Sequence, residues 1–136
     1  MVRITEYPID PSNVTSSVYS DAAGAVNVFI GTVRSSTKDK KVVRLEFEAY
    51  HRMAVREIKK IIEQAKQRWP VHHITIHHRV GALKIGEIAV VIAVSSPHRK
   101  EAFEACQFAI DTLKETVPIW KKEIFEDGET WVSAHP

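Results

Sequence analysis

The sequence predicts an α+β domain in which a mixed, mainly antiparallel sheet packs against two long helices. Three observations lead to this class. The segment 43–49 alternates between apolar and charged residues, as a strand with one wet face does, whereas 53–69 and 97–117 repeat apolar residues at helical spacing. The chain has 136 residues, 44% of them hydrophobic and 26% charged. Because this size and composition are typical of one compact unit, we expect residues 1–136 to form a single domain.

The N-terminal part predicts a strand, a short helix and a second strand. Residues 2–4 alternate apolar and polar as a short strand does, and Asp10 followed by Pro11 is typical of a helix cap and first helical position. Residues 24–31 are rich in β-prone residues and bounded by glycines, which predicts a core strand. Its expected buried face consists of Val26, Val28 and Ile30.

The middle of the chain predicts a loop, a strand and the first long helix. The run 35–41 has no apolar residue to bury and is expected to be an exposed loop. In the strand that follows, alternation predicts an inward face of Val43, Leu45, Phe47 and Ala49. The helix covers 53–69 and ends there because Pro70 excludes a helical backbone at the residue before it.

The C-terminal half predicts two strands, a helix and a hairpin. Residues 74–80 and 87–95 are the strands, and the second is apolar enough to be central in the sheet. The segment 95–97, Ser-Ser-Pro, predicts a hydroxyl cap and a proline at the first position of a helix that stops at Pro118. Asp127-Gly128 indicates the hairpin. The helix's expected buried stripe is Phe103, Cys106, Ile110, Leu113 and Val117.

Composition excludes several classes of protein. Nineteen Lys and Arg against seventeen Asp and Glu give a net charge of +2, too small for a protein that coats nucleic acid by bulk charge. No segment has the apolar length of a membrane span or the pattern of a signal peptide. The single cysteine, Cys106, excludes a disulfide framework and fits a reducing compartment, so we expect a cytoplasmic protein. Its place in the apolar stripe favours a core residue over a nucleophile.

Three basic sites stand out by their context. His98 and Arg99 lie in the predicted first turn of the last helix, where cations oppose the helix dipole and a bound anion would account for them. Lys114 and Lys121 adjoin apolar segments that would reduce hydration of an ammonium and lower its pKa. Arg34 follows the first core strand. Solvated surface residues and ordinary partners of a helix C-terminus remain the alternatives for the first two sites.

Metal binding is not expected. The histidines at 72, 73, 77 and 78 come in adjacent pairs around one predicted strand. Neighbouring residues on a strand point to opposite faces, so neither pair chelates readily.

Short motifs along nearly the whole chain resemble the family of molybdopterin synthase large (catalytic) subunits. Their common order and spacing make the combination specific. The motifs are Gly31-Thr32-Val33-Arg34, Leu45-Glu46-Phe47-Glu48-Ala49-Tyr50, Arg68-Trp69-Pro70, His78-Arg79-Val80-Gly81, Ser95-Ser96-Pro97-His98-Arg99, Asp111-Thr112-Leu113-Lys114, Pro118-Ile119-Trp120-Lys121-Lys122-Glu123 and Trp131-Val132.

The resemblance implies a sulfurtransferase of molybdenum cofactor biosynthesis with no resident cofactor and no metal. Enzymes of this family convert cyclic pyranopterin monophosphate into molybdopterin by adding two sulfurs as a dithiolene. The sulfur donor is a small ubiquitin-like subunit whose C-terminal Gly-Gly carries a thiocarboxylate. Two large subunits form a central homodimer within a heterotetramer, and the α+β fold includes a hammerhead-like subdomain.

The resemblance also assigns site residues. The family's catalytic lysines match Lys114 and Lys121. Its substrate-binding positions match Thr32, Val33, Arg34, His98, Arg99, Lys114, Lys121, Lys122 and Glu123. A phosphate pocket of Arg34, His98 and Arg99 beside a helix N-terminus would fit this substrate.

Two other functions remain open at this stage. A non-catalytic scaffold could use the same basic residues to bind an acidic peptide or RNA, with steep salt dependence and no product. A different enzyme acting on a phosphate ligand could also use an α+β fold, because a fold does not determine a function.

Overall fold

The computed structural model describes residues 1–126 and 128–133, which form three helices and nine strands in two sheets. The predicted α+β class and both long helices are confirmed. The elements in chain order are β1 (Val2–Thr5), α1 (Pro11–Ser16), β2 (Ala25–Thr32), β3 (Ser36–Thr37), β4 (Lys40–Ala49), α2 (His51–Arg68), β5 (His73–Arg79), β6 (Gly81–Lys84), β7 (Ile88–Ser96), α3 (Arg99–Thr116), β8 (Ile119–Phe125) and β9 (Gly128–Ser133).

The first sheet has four strands in the order β1-β5-β7-β2. Only β1 and β5 pair in parallel, and β7 lies inside the sheet as predicted. Side chains alternate between the faces of a strand, so β7 contributes to two cores. Val90, Ile92 and Val94 join the large core with α2 and α3, while Val91 and Ala93 join a smaller one with α1.

The second sheet has the order β3-β4-β8-β9, and β6 also pairs with β4. All of its pairings are antiparallel, as the alternation in β4 predicted. Phe47, Leu83 and Ile119 connect this sheet to the large core. The two sheets therefore share one core, and β8 follows α3 directly.

The predicted buried face of β2 is wrong for two of its three residues. Val26 and Ile30 are 38% and 44% exposed, and only Val28 packs against the smaller core. The reason is position: β2 is an edge strand, and α1, with six residues, is too short to cover the whole of that face. On the opposite face, Phe29 packs against the large core.

In β4 the predicted inward face is wrong at its first residue. Val43 is exposed, whereas Val42 is buried. The register with β8 shifts between Val42 and Arg44, so a β-bulge there inverts the alternation on its N-terminal side. Leu45, Phe47 and Ala49 pack on the core side, as predicted.

The polar run predicted as a loop forms the tip of a hairpin. β3 pairs with the start of β4 around Lys38 and Asp39, whose φ angles are 50° and 66°. Two consecutive positive φ angles are the geometry of a type I′ turn. The residues around this turn are mostly exposed, as predicted.

The start and stripe of α3 need correction. Its cap position is His98, two residues after the predicted start, because the Ser96 hydroxyl donates to the His98 carbonyl instead of capping the helix. Phe103 is 56% exposed. Small residues at 102, 105 and 109 form the contact face and turn Phe103 outward. Cys106, Ile110 and Leu113 are buried as predicted.

At the C-terminal end, β8 and β9 form the predicted hairpin. Its Asp127 lies outside the described residues. Within residues 1–126 and 128–133, none of the helices is long and apolar enough to cross a membrane.

Candidate functional site

Three of the candidate residues line one pocket of about 140 Å³ where the two sheets meet α3. Thr32 is the last residue of β2, Lys114 lies in the last turn of α3, and Lys121 is the third residue of β8. Lys114 reaches the pocket because it follows Ile110 by four positions, one helical turn. Lys121 pairs with Phe47 across β4 and β8, so both lie on the core side of the second sheet. The apolar walls include Phe29, Leu45, Phe47, Ile110 and Leu113.

Lys121 is the electrostatic centre of this pocket. Burial lowers the pKa of its ammonium, and the positive charges of Lys114 and Arg34 lower that pKa further, while the Glu123 carboxylate acts in the opposite direction. A lysine with a lowered pKa releases its proton more readily than an exposed lysine. Lys121 is therefore suited to proton transfer or, while charged, to stabilising a nearby anion.

Glu123 lies two residues after Lys121 and on the same face of β8. Its side chain is buried, and its Oε2 has no hydrogen-bond partner within the described part of the chain. A buried carboxylate is stable only when a positive charge compensates it. Lys121 supplies a charge in reach, so the two residues form one electrostatic unit.

Three other predicted site residues, Arg34, Val33 and Lys122, take different positions around this pocket. Arg34 is exposed beyond the end of β2, within electrostatic reach of Lys121. The Val33 side chain is buried in the core, and its backbone bonds to Glu87 and Gly86. Lys122 points to the opposite face of the sheet, where its Nζ lies 3.5 Å from a Glu129 carboxylate oxygen.

His98 and Arg99 lie far from these residues. They line a separate open pocket at the N-terminus of α3, beside Gly24 and Pro97. Arg99 and Lys114 are fifteen positions apart on α3, which corresponds to about 22 Å along the axis. One copy of the chain therefore does not bring His98 and Arg99 together with Arg34 in the phosphate pocket expected from the sequence.

The residue reasoning missed His78, which lines the lysine pocket from β5. Its ring is 4% exposed and contacts the Phe47 ring edge-on, with 5.3 Å between centroids. The sequence could have indicated this position, because alternation along the strand places His78 on the same face as Ile74 and Ile76, toward the core. The histidine pairs were instead considered only as metal ligands. No cluster of three or more His, Cys, Asp or Glu with metal-binding geometry occurs in the described ranges.

Cys106 packs in the core, as predicted. Burial raises the pKa of its thiol to about 11, with smaller opposing effects from Asn27 and Phe29 of β2. Its Sγ lies 3.9 Å from the Ile92 carbonyl oxygen. A thiol with such a pKa is a poor nucleophile at neutral pH.

Comparison with known sequences identifies the class of protein to which this fold and pocket belong. The family model described as MoaE protein matches residues 4–116, and the chain belongs to this family. It is similar to the molybdopterin synthase catalytic subunit of Bacillus subtilis, with 53% identity over 130 residues, 96% of this chain and 83% of the relative. The catalytic subunit from Homo sapiens is 45% identical over 131 residues, 96% of this chain and 70% of the relative.

Solved structures that resemble this chain are described as molybdopterin synthase or as subunits of the molybdopterin-converting factor. Molybdopterin synthase from Staphylococcus aureus matches with a TM-score of 0.92 and 46% identity, over 96% of this chain and 95% of that chain. A complex of subunits 1 and 2 of the molybdopterin-converting factor from Helicobacter pylori contains a chain with a TM-score of 0.79 and 24% identity. The match covers 99% of this chain and 93% of that chain, and it shows the shared fold.

Proposed function

We propose that this chain is the catalytic subunit of a molybdopterin synthase. It transfers two sulfurs to cyclic pyranopterin monophosphate and forms the dithiolene of molybdopterin, a step of molybdenum cofactor biosynthesis. Membership of the MoaE protein family and the similarity to named catalytic subunits support this function. The observation that carries the proposal is the pairing of Lys114 and Lys121 in one largely apolar pocket, with a lowered pKa at Lys121.

The sulfur donor in this proposal is the C-terminal thiocarboxylate of a small ubiquitin-like subunit. The Helicobacter pylori complex, which pairs two subunits, supports a separate small partner. A thiocarboxylate is an anion that enters a pocket with two ammonium groups. Its sulfur would attack a carbon of the substrate and form a thioester between substrate and carrier. Water would then attack the thioester carbonyl, negative charge would develop on the carbonyl oxygen, and the C–S bond would break to leave the sulfur on the substrate and a carboxylate on the carrier. Lys114 and Lys121 would stabilise that oxyanion, and Lys121 would supply or accept protons during ring opening of the substrate. Because the carrier brings the sulfur, we propose that the chain needs no resident cofactor or metal.

We further propose that two copies form the central dimer through β2. The edge position of β2 and the exposure of Val26 and Ile30 support a self-complementary contact there. Antiparallel pairing of two β2 strands about a two-fold axis would set the Ala25 end of one beside the Thr32 end of the other. Ala25 pairs with Ser96, so His98 and Arg99 of one copy would approach Arg34 and Thr32 of the other.

Under this arrangement the phosphate of the substrate would lie between Arg34 and the second copy's His98 and Arg99. The two-fold symmetry would then bring together residues that lie about 22 Å apart along α3 within one copy. We also propose a cytoplasmic location, because the single buried Cys106 suits a reducing compartment.

The test is formation of molybdopterin from the purified chain, cyclic pyranopterin monophosphate and a thiocarboxylated carrier. Lys121→Ala is expected to lower turnover by about 10²–10³-fold, the usual effect of removing a group that stabilises a developing oxyanion. Lys59→Ala, an exposed lysine on α2, is the matched control and should retain wild-type turnover. Wild-type turnover by a folded Lys121→Ala variant would refute the assignment, and absence of product with the unmodified chain would refute the function.

A further inference from the structure

The protonation of the His78 ring follows from one hydrogen bond. Its Nδ1 lies 2.8 Å from the backbone carbonyl oxygen of Arg79. A carbonyl oxygen only accepts, so Nδ1 carries the hydrogen and donates it. Burial lowers the pKa of His78 to about 4, so the ring is neutral at pH 7. In a neutral ring with a protonated Nδ1, the other nitrogen, Nε2, bears a free lone pair.

That lone pair is available to a molecule in the lysine pocket. His78 lines the pocket together with Lys114 and Lys121, and the edge-on contact with Phe47 holds the ring in place. The hydrogen bond that the described residues give the His78 ring is the one at Nδ1. The two ammonium groups of the pocket are donors only. Nε2 therefore gives the pocket a fixed acceptor that carries no charge and no proton.

The size of the pocket indicates what it accepts. Its volume of about 140 Å³ is below the roughly 300 Å³ at which pockets take compact organic ligands. Its walls are aromatic and aliphatic, and a Cβ on Gly31 would lie 2.7 Å from a Val90 methyl group. A chain end without side chains fits this space, and a fused-ring substrate would lie at its mouth, within reach of the lysines. A Gly-Gly terminus presents a carboxylate, which the lysines attract, and backbone N–H groups, which need an acceptor once they are buried.

We propose that Nε2 of His78 accepts a hydrogen bond from a backbone N–H of the carrier's C-terminal Gly-Gly. This inference rests on the proposed function and adds a residue to it. Lys114 and Lys121 bind the terminal carboxylate or thiocarboxylate, and His78 fixes the peptide unit behind it. Two points of attachment, one for charge and one for the peptide, set the direction in which the sulfur faces the substrate.

A double-mutant cycle tests this contact. His78→Asn can keep an amide donor near the Nδ1 position for the Arg79 carbonyl but loses the acceptor at Nε2. His78→Gln can place an amide oxygen near Nε2. Each variant and the wild type are titrated calorimetrically with an unmodified carrier that ends in Gly-Gly and with a carrier that lacks these two residues. Thermal unfolding of each variant checks that it is folded.

We expect His78→Asn to weaken binding of the intact carrier by about tenfold, the effect of one buried hydrogen bond. The truncated carrier should bind His78→Asn and the wild type equally, and His78→Gln should recover most of the affinity for the intact carrier. Equal losses with both carriers would overturn the proposal, because the effect would then come from the fold. Unchanged binding of the intact carrier by folded His78→Asn would also overturn it.

Two further outcomes separate this inference from the function on which it rests. If His78→Asn weakens binding of cyclic pyranopterin monophosphate but not of the carrier, the acceptor serves the substrate and the proposal is wrong, while the proposed function stands. If the wild type binds the intact and truncated carriers equally, the tail does not enter the pocket. In that case both the His78 contact and the proposed sulfur delivery fail.

Discussion

Replacement of Cys106 by serine tests whether sulfur is ever carried on this chain. Burial raises the pKa of the Cys106 thiol from 9.0 to about 11. At pH 7 about one molecule in ten thousand then holds a thiolate, ~100-fold fewer than for a thiol of ordinary pKa. The thiolate is the form that attacks sulfur donors. We therefore expect Cys106→Ser to retain sulfur transfer within about twofold of the wild type, because a thiol that is unreactive at this pH takes part in no step of the transfer.

The same substitution should lower stability. The Ile92 carbonyl oxygen lies 3.9 Å from Sγ, beyond the roughly 2.5–3.0 Å of a hydroxyl hydrogen bond, so the shorter serine side chain would lose this contact and bury a more polar group, with Asn27 and Phe29 as its hydrogen-bonding neighbours. The cost is about 1–3 kcal/mol, or about 4 °C in melting temperature per kcal/mol for a chain of this length. Cys106→Ala is the matched variant, since it removes the sulfur without adding a polar group.

The assay combines molybdopterin formation with titration of the thiol. An aromatic disulfide reagent should leave Cys106 unmodified in the native protein and react with one thiol per chain in guanidinium. Loss of transfer in folded Cys106→Ser and Cys106→Ala would refute the reasoning, as would a persulfide on the Cys106 peptide during turnover. Either result would mean that the sulfur passes through this chain after all.

Two other predictions concern acid and assembly. The pKa of His78 is about 4 in the folded protein against 6.5 for an ordinary histidine, so its contribution to stability is complete above pH 6.5 and is lost as the pH falls through 4. The full contribution to the free energy of unfolding is about 3 kcal/mol. In urea unfolding at pH 7 and at pH 4.5, the wild type should lose more free energy of unfolding between the two pH values than His78→Gln does. Equal losses in the two proteins would contradict this role of His78. For the dimer, Lys121→Ala and Arg99→Ala should each be inactive alone, but exchange of subunits in a mixture should restore about a quarter of wild-type activity, because each mixed dimer has one intact site. No recovery after verified exchange would mean that each site is built within one copy.

Local patterns predicted the elements well because the spacing of apolar residues belongs to each segment. The helix at 51–68 follows from such spacing, and the strand β7 follows from its almost continuous run of apolar residues. The direction in which a strand faces depends on distant parts of the chain. Ile30 is exposed because α1 is short, and Val43 is exposed because a bulge shifts the register with β8. Neither cause is visible within the strand that it affects.

The site residues likewise divide into those that local sequence predicts and those that depend on distant parts of the chain. The resemblance pointed to Lys114 and Lys121, which the fold brings into one pocket. His78 was missed because it reaches that pocket from β5, far away in sequence, and its role depends on burial and on a bond to the Arg79 carbonyl. The separation of Arg99 from Lys114 needed no structure: a helix predicted over 97–117 already places them about 22 Å apart.

The glycine at position 31 has a consequence for how this chain can vary. A Cβ there would meet the Val90 methyl at 2.7 Å and the Phe29 ring at 3.3 Å, and all three residues line the lysine pocket. A larger residue would therefore displace this wall, and its side chain would reduce the pocket volume of about 140 Å³. Position 31 is constrained by the shape of the pocket, although Gly31 contributes no charge and no hydrogen-bonding side chain to it.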